Sequence, residues 1–127
     1  MSNQYTTEEL KDILLNEGYR GVNIAAEEII ILKIEGDAYL ICLYPNGDIQ
    51  ILYRAMNNRP FSLAKINQWH TDHRSGTLYR DEGNENILIV QLTIIGLGEK
   101  LEKRKVVLSI EMFRHLIKTI DFDELSN

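Results

Sequence analysis

The apolar residues follow a helical period at the start of the chain. Leu10, Ile13 and Leu14 recur at three- and four-residue steps, as on one face of an amphipathic helix. They follow a capping-box signature formed by Thr6 and Glu9, in which each side chain can bond the other residue's backbone amide. This pattern predicts a first helix that ends just before Gly18.

The period then changes to runs typical of β-strands. Residues 29–34 are β-branched, residues 38–44 form a second apolar run, and residues 49–54 alternate between apolar and polar positions. Turn-forming residues separate the second run from the third. We therefore expect an antiparallel meander of three strands, preceded by an irregular segment in which residues 22–24 offer one more short strand.

A second helix and a second hairpin follow. Ser62 can cap a helix that runs to about residue 74. Residues 77–80 and 87–95 read as strands, with turn residues between them. One broad arc of the helix, expected to face the core, contains Leu63, Ile66, Asn67, Trp69, His70, His73 and Arg74.

From about residue 99 to 120 the pattern is helical again, with two apolar stripes. The first stripe contains Val106, Ile110, Phe113, Ile117 and Ile120, and the second contains Leu101, Leu108, Met112 and Leu116. Residues 106–108 also suit the end of a strand, with Ser109 capping a shorter helix, so both structures stay open for residues 105–109. The remaining residues form an acidic tail that we expect to be frayed.

The predicted element order is α-β-β-β-α-β-β-α. This order is typical of the α+β class, with an antiparallel sheet of about five strands and helices mainly on one face. The length of 127 residues suits a single domain over residues 1–127.

Composition excludes several classes of function. The net charge of −5 lacks the basic excess of a general nucleic-acid binder. The longest apolar runs are far shorter than a membrane span, and the N-terminus has no secretory signal, so we expect no membrane contact and a cytoplasmic protein. Cys42 is the one cysteine, which excludes an internal disulfide, and we expect it to be a buried, inert thiol.

The sequence offers little catalytic or metal-binding chemistry. His70 and His73 have a spacing that can place two imidazoles on one metal, but Asp72 points away from them and no further ligand is suitably placed. No nucleophile, base and orienting group can be named together. We therefore predict no enzyme activity, no catalytic residues, no cofactor and no metal.

The most informative feature is a surplus of apolar positions. The strands at 29–34 and 38–44 are apolar on both faces, whereas an antiparallel sheet usually shows water a polar second face. The last helix likewise has more apolar surface than one core needs. We expect a homodimer or a protein partner to cover this surplus. The candidate interface residues are Ile29, Ile31, Ile41, Leu101, Leu108, Met112 and Leu116.

Residues 66–70 read Ile-Asn-Gln-Trp-His, and Arg74 and the segment Leu-Tyr-Arg-Asp-Glu-Gly at 78–83 follow. This pattern resembles the YbjN-like family of proposed bacterial sensory transduction regulators. The resemblance extends over nearly the whole chain, and its matching positions are Asn67, Trp69 and Arg74. His70 departs from the family, which usually has asparagine there.

The resemblance implies a fold like that of type III secretion chaperones and a non-enzymatic role, either regulatory or chaperone-like. We expect Asn67, His70 and Arg74 to form a small polar network, and all four motif residues, Trp69 included, to have a structural role. The predicted function is a cytoplasmic protein-binding module that acts through its apolar sheet and helix surfaces. The alternative is a small-ligand sensor with a pocket near the second helix. No motif identifies the client or the pathway.

Overall fold

The computed structural model describes residues 4–127, which form three helices and six strands. The helices are α1 (Thr7–Asn16), α2 (Leu63–Asp72) and α3 (Lys103–Thr119). The strands are β1 (Gly21–Ala26), β2 (Ile29–Ile34), β3 (Asp37–Leu43), β4 (Ile49–Met56), β5 (Thr77–Asp81) and β6 (Asn84–Ile94). No helix among these residues is long and apolar enough to cross a lipid bilayer.

The strands form a single, fully antiparallel sheet with the order β1-β2-β3-β4-β6-β5. The α+β class with an antiparallel sheet is therefore confirmed. The sheet has six strands rather than about five, because the whole segment Gly21–Ala26 pairs with β2. Sequence alone showed only its middle, since this edge strand is largely exposed and lacks an alternating apolar pattern.

The core lies between the helices and one face of the sheet. Strand residues such as Ile30, Tyr39 and Ile51 form that face. The cluster is completed by Leu10 from α1 and Phe113 from α3, together with residues from α2. All three helices contribute to this one cluster, which leaves the second face of the sheet outside the core.

The capping box at the start of α1 is confirmed. The backbone N–H of Glu9 donates to Thr6 Oγ1 at 3.1 Å, and the backbone N–H of Thr6 donates to Glu9 Oε1 at 3.1 Å. Two of the amides that the first helical turn leaves unpaired are thereby satisfied. α1 consequently begins where the sequence predicts.

Residues 105–109 are helical. α3 is continuous over Lys103–Thr119, and Val106 is fully buried in the core with Ile110 one turn later. The strand ending and the cap at Ser109 are therefore not adopted. The Ser109 hydroxyl instead donates to the backbone carbonyl of Lys105 at 2.7 Å, inside the helix.

The end of the chain is docked, so the expectation of a frayed tail is wrong. Leu125 and Ser126 are buried, and the backbone N–H of Ser62 donates to the Leu125 carbonyl at 2.8 Å. The backbone N–H of Asn127 donates to the Pro60 carbonyl at 2.9 Å. Leu125 follows a mostly acidic segment, and its burial holds this segment beside the start of α2.

Candidate binding surfaces

Trp69 and His70, two residues of the predicted motif, make contacts that hold α2 in the fold, as does the neighbouring His73. Trp69 is buried, and the His73 ring stacks on it with centroids 4.3 Å apart and planes 8° apart. His70 meets the indole edge-on at 5.3 Å, and its Nε2 accepts the backbone N–H of Leu78 at 3.0 Å. These contacts join α2 to β5.

The polar network expected from Asn67 and Arg74 does not form within residues 4–127. α2 ends at Asp72, and His73 has an extended backbone, so Arg74 lies beyond the helix and is exposed. The Asn67 side chain is also exposed, because only Ile66 and Trp69 of α2 reach the core. Of the four motif residues, the structure brings Trp69 and His70 together and leaves Asn67 and Arg74 in solvent.

His70 and His73 are occupied by these structural contacts. His70 accepts from Leu78, and His73 Nδ1 lies 2.8 Å from the carbonyl of Trp69. Within the described part of the chain, no group of three or more His, Cys, Asp or Glu side chains is placed to hold a metal ion.

We expect purified, untagged protein to contain no stoichiometric zinc, because a structural zinc site needs four ligands and the histidine pair supplies two at most. Elemental analysis after size-exclusion chromatography checks this. One zinc per chain, lost in the His73→Ala variant but kept in a His115→Ala control, would show that the prediction is wrong.

The sheet face opposite the helices has an apolar centre. The strand register places Ile31, Leu40 and Leu52 side by side on β2, β3 and β4. Ile29 and Cys42 lie side by side in the next row. All five are half-buried by neighbours in the sheet, and none belongs to the core cluster. We call these five residues the open-face patch.

The patch corrects part of the predicted interface. Ile29 and Ile31 lie on the open face, but Ile41 is fully buried against the helices, as are Tyr39 and Leu43. Sequence reasoning missed Leu40 and Leu52. The signal was present, because side chains two residues apart share a face and Leu40 therefore cannot share one with Ile41.

A polar strip borders the patch. The Tyr44 hydroxyl donates to Gln50 Oε1 at 3.0 Å, and Gln50 Nε2 donates to Thr93 Oγ1 at 3.4 Å. Gln91 Nε2 donates to the same Thr93 oxygen at 3.4 Å, and the Tyr79 hydroxyl donates to Gln91 Oε1 at 3.2 Å. These hydrogen bonds hold the polar side chains in place. The open face therefore has a polar side, formed by this strip, and an apolar side, formed by the patch.

The open face also has a depression of about 460 Å³, lined by Ile31, Leu40, Leu52 and Tyr79 among others. Arg54 also lines it, is exposed, and makes no ion pair with any residue from 4 to 127. Lys33 lies on β2, two strands away from Arg54, and pairs with Ala38 of the intervening β3. The apolar centre therefore has at its margin two cations that make no ion pair with another described residue, and the acidic residue Asp37 also lines the depression.

Cys42 is half-buried within the patch. Burial raises the pKa of its thiol, so the thiolate is disfavoured. The side chain contributes apolar surface and is not an activated nucleophile.

A second apolar surface runs along the outer side of α3. Leu108 and Met112 are 50% and 61% exposed, and Leu116 is half-buried beside them in a shallow groove that His115 also lines. Leu101 belongs to the core instead, so it cannot be an interface residue. It precedes α3, where the carbonyl of Leu101 accepts the Tyr5 hydroxyl and the chain turns inward.

The fold has a counterpart of known structure. No protein-family model matches the sequence, and no curated protein matches it by sequence. Among solved structures, the crystal structure of YbjN from E. coli, described as a proposed transcription regulator, matches with a TM-score of 0.65. The match covers 87% of this chain and 84% of YbjN at 11% sequence identity. Such a low identity demonstrates a common fold and no more, and this chain has the fold of YbjN, as the motif resemblance predicted.

Proposed function

We propose that this chain is a cytoplasmic, non-enzymatic, regulator-like module that binds a protein partner on its open sheet face. The observation that carries the proposal is the open-face patch. Ile31, Leu40 and Leu52 form a continuous apolar row that no helix among residues 4–127 covers. Apolar surface of this kind, rimmed by polar residues, marks interaction sites in soluble proteins.

The margin of the patch defines the chemistry of the partner. Lys33 and Arg54 are exposed beside the apolar row, and neither has an acidic partner within residues 4–127. A segment with apolar side chains and a nearby carboxylate would fill the row and pair with these cations. The YbjN fold supports a regulatory role because that neighbour is described as a proposed regulator.

We expect Leu52→Glu to weaken partner binding by at least about tenfold, since losing one buried leucine contact costs roughly 1.5–3 kcal/mol. The partner is first isolated from native extract with the unmodified protein, then purified and titrated by calorimetry. Leu97→Glu is the matched control, because Leu97 is 88% exposed on the loop after β6 and is not part of the patch or of the depression.

Equal affinities for Leu52→Glu and the control would contradict the sheet-face site. Thermal unfolding of both variants is measured alongside, so that loss of folding is not mistaken for loss of binding. Arg54→Glu should also weaken binding, and the deficit should shrink in high salt because exposed charge pairs are screened.

The depression supports a second candidate, a small-ligand sensor. Its volume of about 460 Å³ lies within the range of small-molecule sites. The site would be on the open face, not near α2 as the sequence suggested, because His70 and His73 are engaged within the fold. Native mass spectrometry of freshly purified protein distinguishes the two functions, since a ligand adds a discrete mass that Leu52→Glu removes.

A further inference from the structure

The outer stripe of α3 lies on a helix with an unusual charge distribution. Lys103 and Arg104 stand in its first turn, next to Lys105, and all three are exposed. Among the described residues, none of these cations makes an ion pair. The amino end of a helix carries a partial positive charge, so cations there are destabilising within one copy of the chain.

The other end of α3 has the opposite charge and the same mismatch. Asp121, Asp123 and Glu124 follow the last helical turn and are exposed, and no cation of residues 4–127 pairs with them. Anions near the negative carboxyl end of a helix are also unfavourable. α3 therefore has a net positive charge at its first end, although its N-cap is Glu102, and a net negative charge after its second end, although Lys118 lies in its last turn. The exposed stripe between the two ends is apolar.

We propose that two copies of this chain associate through α3, with the helices antiparallel about a twofold axis at Met112. Each residue that follows Met112 then faces the residue equally far before it in the other copy. Leu108 packs on Leu116 of the partner subunit, and Met112 packs on its own counterpart. Arg104 and Lys105 in the first turn of each α3 lie toward the Met112 side and meet the acidic segment after the other α3, whereas Lys103 lies on the opposite side of the helix.

A second copy of the chain covers the exposed apolar stripe and also pairs the charges at the two ends of α3. A twofold interface needs a surface that is complementary to itself, and a helix with opposite charges at its two ends meets this condition only when it pairs antiparallel. The dipoles of the two helices are then also antiparallel. An unrelated apolar helix could cover Leu108 and Met112, but it would leave six charges in the unfavourable arrangement.

The contact is of modest size. The 17 residues of α3 span about 25 Å, and one helix pair buries less surface than a standard stable interface. We therefore expect a dissociation constant on the order of micromolar that rises with salt, because the end contacts are exposed. This surface is separate from the open-face patch, so Leu52→Glu should leave self-association unchanged.

The test uses two charge-reversed variants of the whole chain. The first carries Arg104→Glu and Lys105→Glu, the exposed cations nearest to the Met112 side of the helix, and the second carries Asp121→Lys and Glu124→Lys. Asp123 is left intact because its carboxylate accepts a hydrogen bond from Asn57, which joins this segment to the end of β4. The hydrogen bond that Asp121 Oδ1 accepts, from the backbone N–H of Glu124 at 3.2 Å, is local to the turn. The control carries Arg20→Glu and Arg59→Glu, two exposed cations without ion pairs elsewhere in the described chain.

Sedimentation equilibrium is measured for each protein and for an equimolar mixture of the two variants. We expect the unmodified protein and the control to dimerise, and each variant alone to associate at least tenfold more weakly. The mixture should recover association, because each end of one variant is then opposite in charge to the end that it meets. Melting temperatures should not fall in the first variant, since its new carboxylates suit the helix dipole.

Three outcomes would overturn the proposal: unmodified protein that is monomeric at a concentration 100-fold above the expected dissociation constant, variants that dimerise like the control, or a mixture that stays monomeric.

Disulfide trapping then locates the contact. In a Cys42→Ser background, Met112→Cys should cross-link with itself and Leu97→Cys should not. The reverse pattern would place the interface elsewhere and contradict the α3 axis.

Discussion

Replacing Phe113 with alanine is expected to lower the free energy of unfolding by about 3–5 kcal/mol, the usual cost of removing a buried aromatic ring. Phe113 is 1% exposed and lies on the inner side of α3. Its ring meets Tyr39 edge-on, with centroids 6.0 Å apart and planes at 75°. The variant loses the transfer free energy of the ring, this aromatic contact, and the packing around the cavity that remains.

The matched control is Leu108→Ala on the other side of the same helix. Leu108 is half-exposed and outside the core cluster, so we expect a change within about 0.5 kcal/mol. Both values come from urea unfolding followed by far-UV circular dichroism, at a concentration where the chain is monomeric. Equal losses in the two variants would mean that α3 does not pack on the sheet as described.

Local signals were sufficient for elements whose causes are local. The Thr6 and Glu9 side chains act on amides three residues away, so the start of α1 could be predicted from sequence. The stripe that contains Val106 and Phe113 likewise predicted the inner face of α3, because helical spacing alone decides which residues share a face.

Contacts between segments distant in sequence determine the other features, namely the docked tail, the contacts of α2 and the structure of β1. The start of α2 is held by the backbone of Leu125, and α2 is joined to β5 by His70 and the amide of Leu78. Neither contact leaves a sequence signal, so the tail was expected to fray and the motif residues were expected to bond one another. β1 is similar, since its pairing with β2 gives it strand structure that its composition does not predict.

The candidate interface was predicted only in part for the same reason. Sequence showed that β3 is apolar on both faces, but which face meets the helices depends on the register with β2 and β4. That register puts Ile41 inside and Leu40 outside. A one-residue change would exchange the two faces, so the open-face patch could be identified only once the pairing was known.

The stability of this protein is expected to fall steeply between about pH 10 and pH 12. The chain has six tyrosines, and the pKa of every one is raised from its ordinary value. Burial is the largest cause in each case. The Tyr53 hydroxyl donates a hydrogen bond to Asp37 Oδ1 at 3.2 Å. Burial and this neighbouring carboxylate raise the pKa of Tyr53 to about 12.

The sign of this pH dependence follows from the ionisation state of tyrosine that the folded chain favours. The folded chain favours the neutral phenol, whereas unfolded tyrosine ionises near pH 10. The stabilisation is therefore fully present below about pH 10, where both states are neutral, and is lost as pH rises toward the folded pKa. Tyr39 and Tyr53 lie in or against the core, so ionisation there opposes packing directly.

Urea unfolding at pH 8, 9, 10 and 11 measures the effect, and absorbance at 295 nm follows tyrosine ionisation in the folded state. We expect Tyr53→Phe to lose less stability than the unmodified protein between pH 9 and 11, although it starts lower because the bond to Asp37 is gone. Tyr44→Phe is the control, since Tyr44 is exposed at the edge of the sheet and should change the slope less. A denaturation midpoint that stays constant from pH 9 to 11, or native absorbance that titrates fully near pH 10, would contradict the role assigned to the buried phenols.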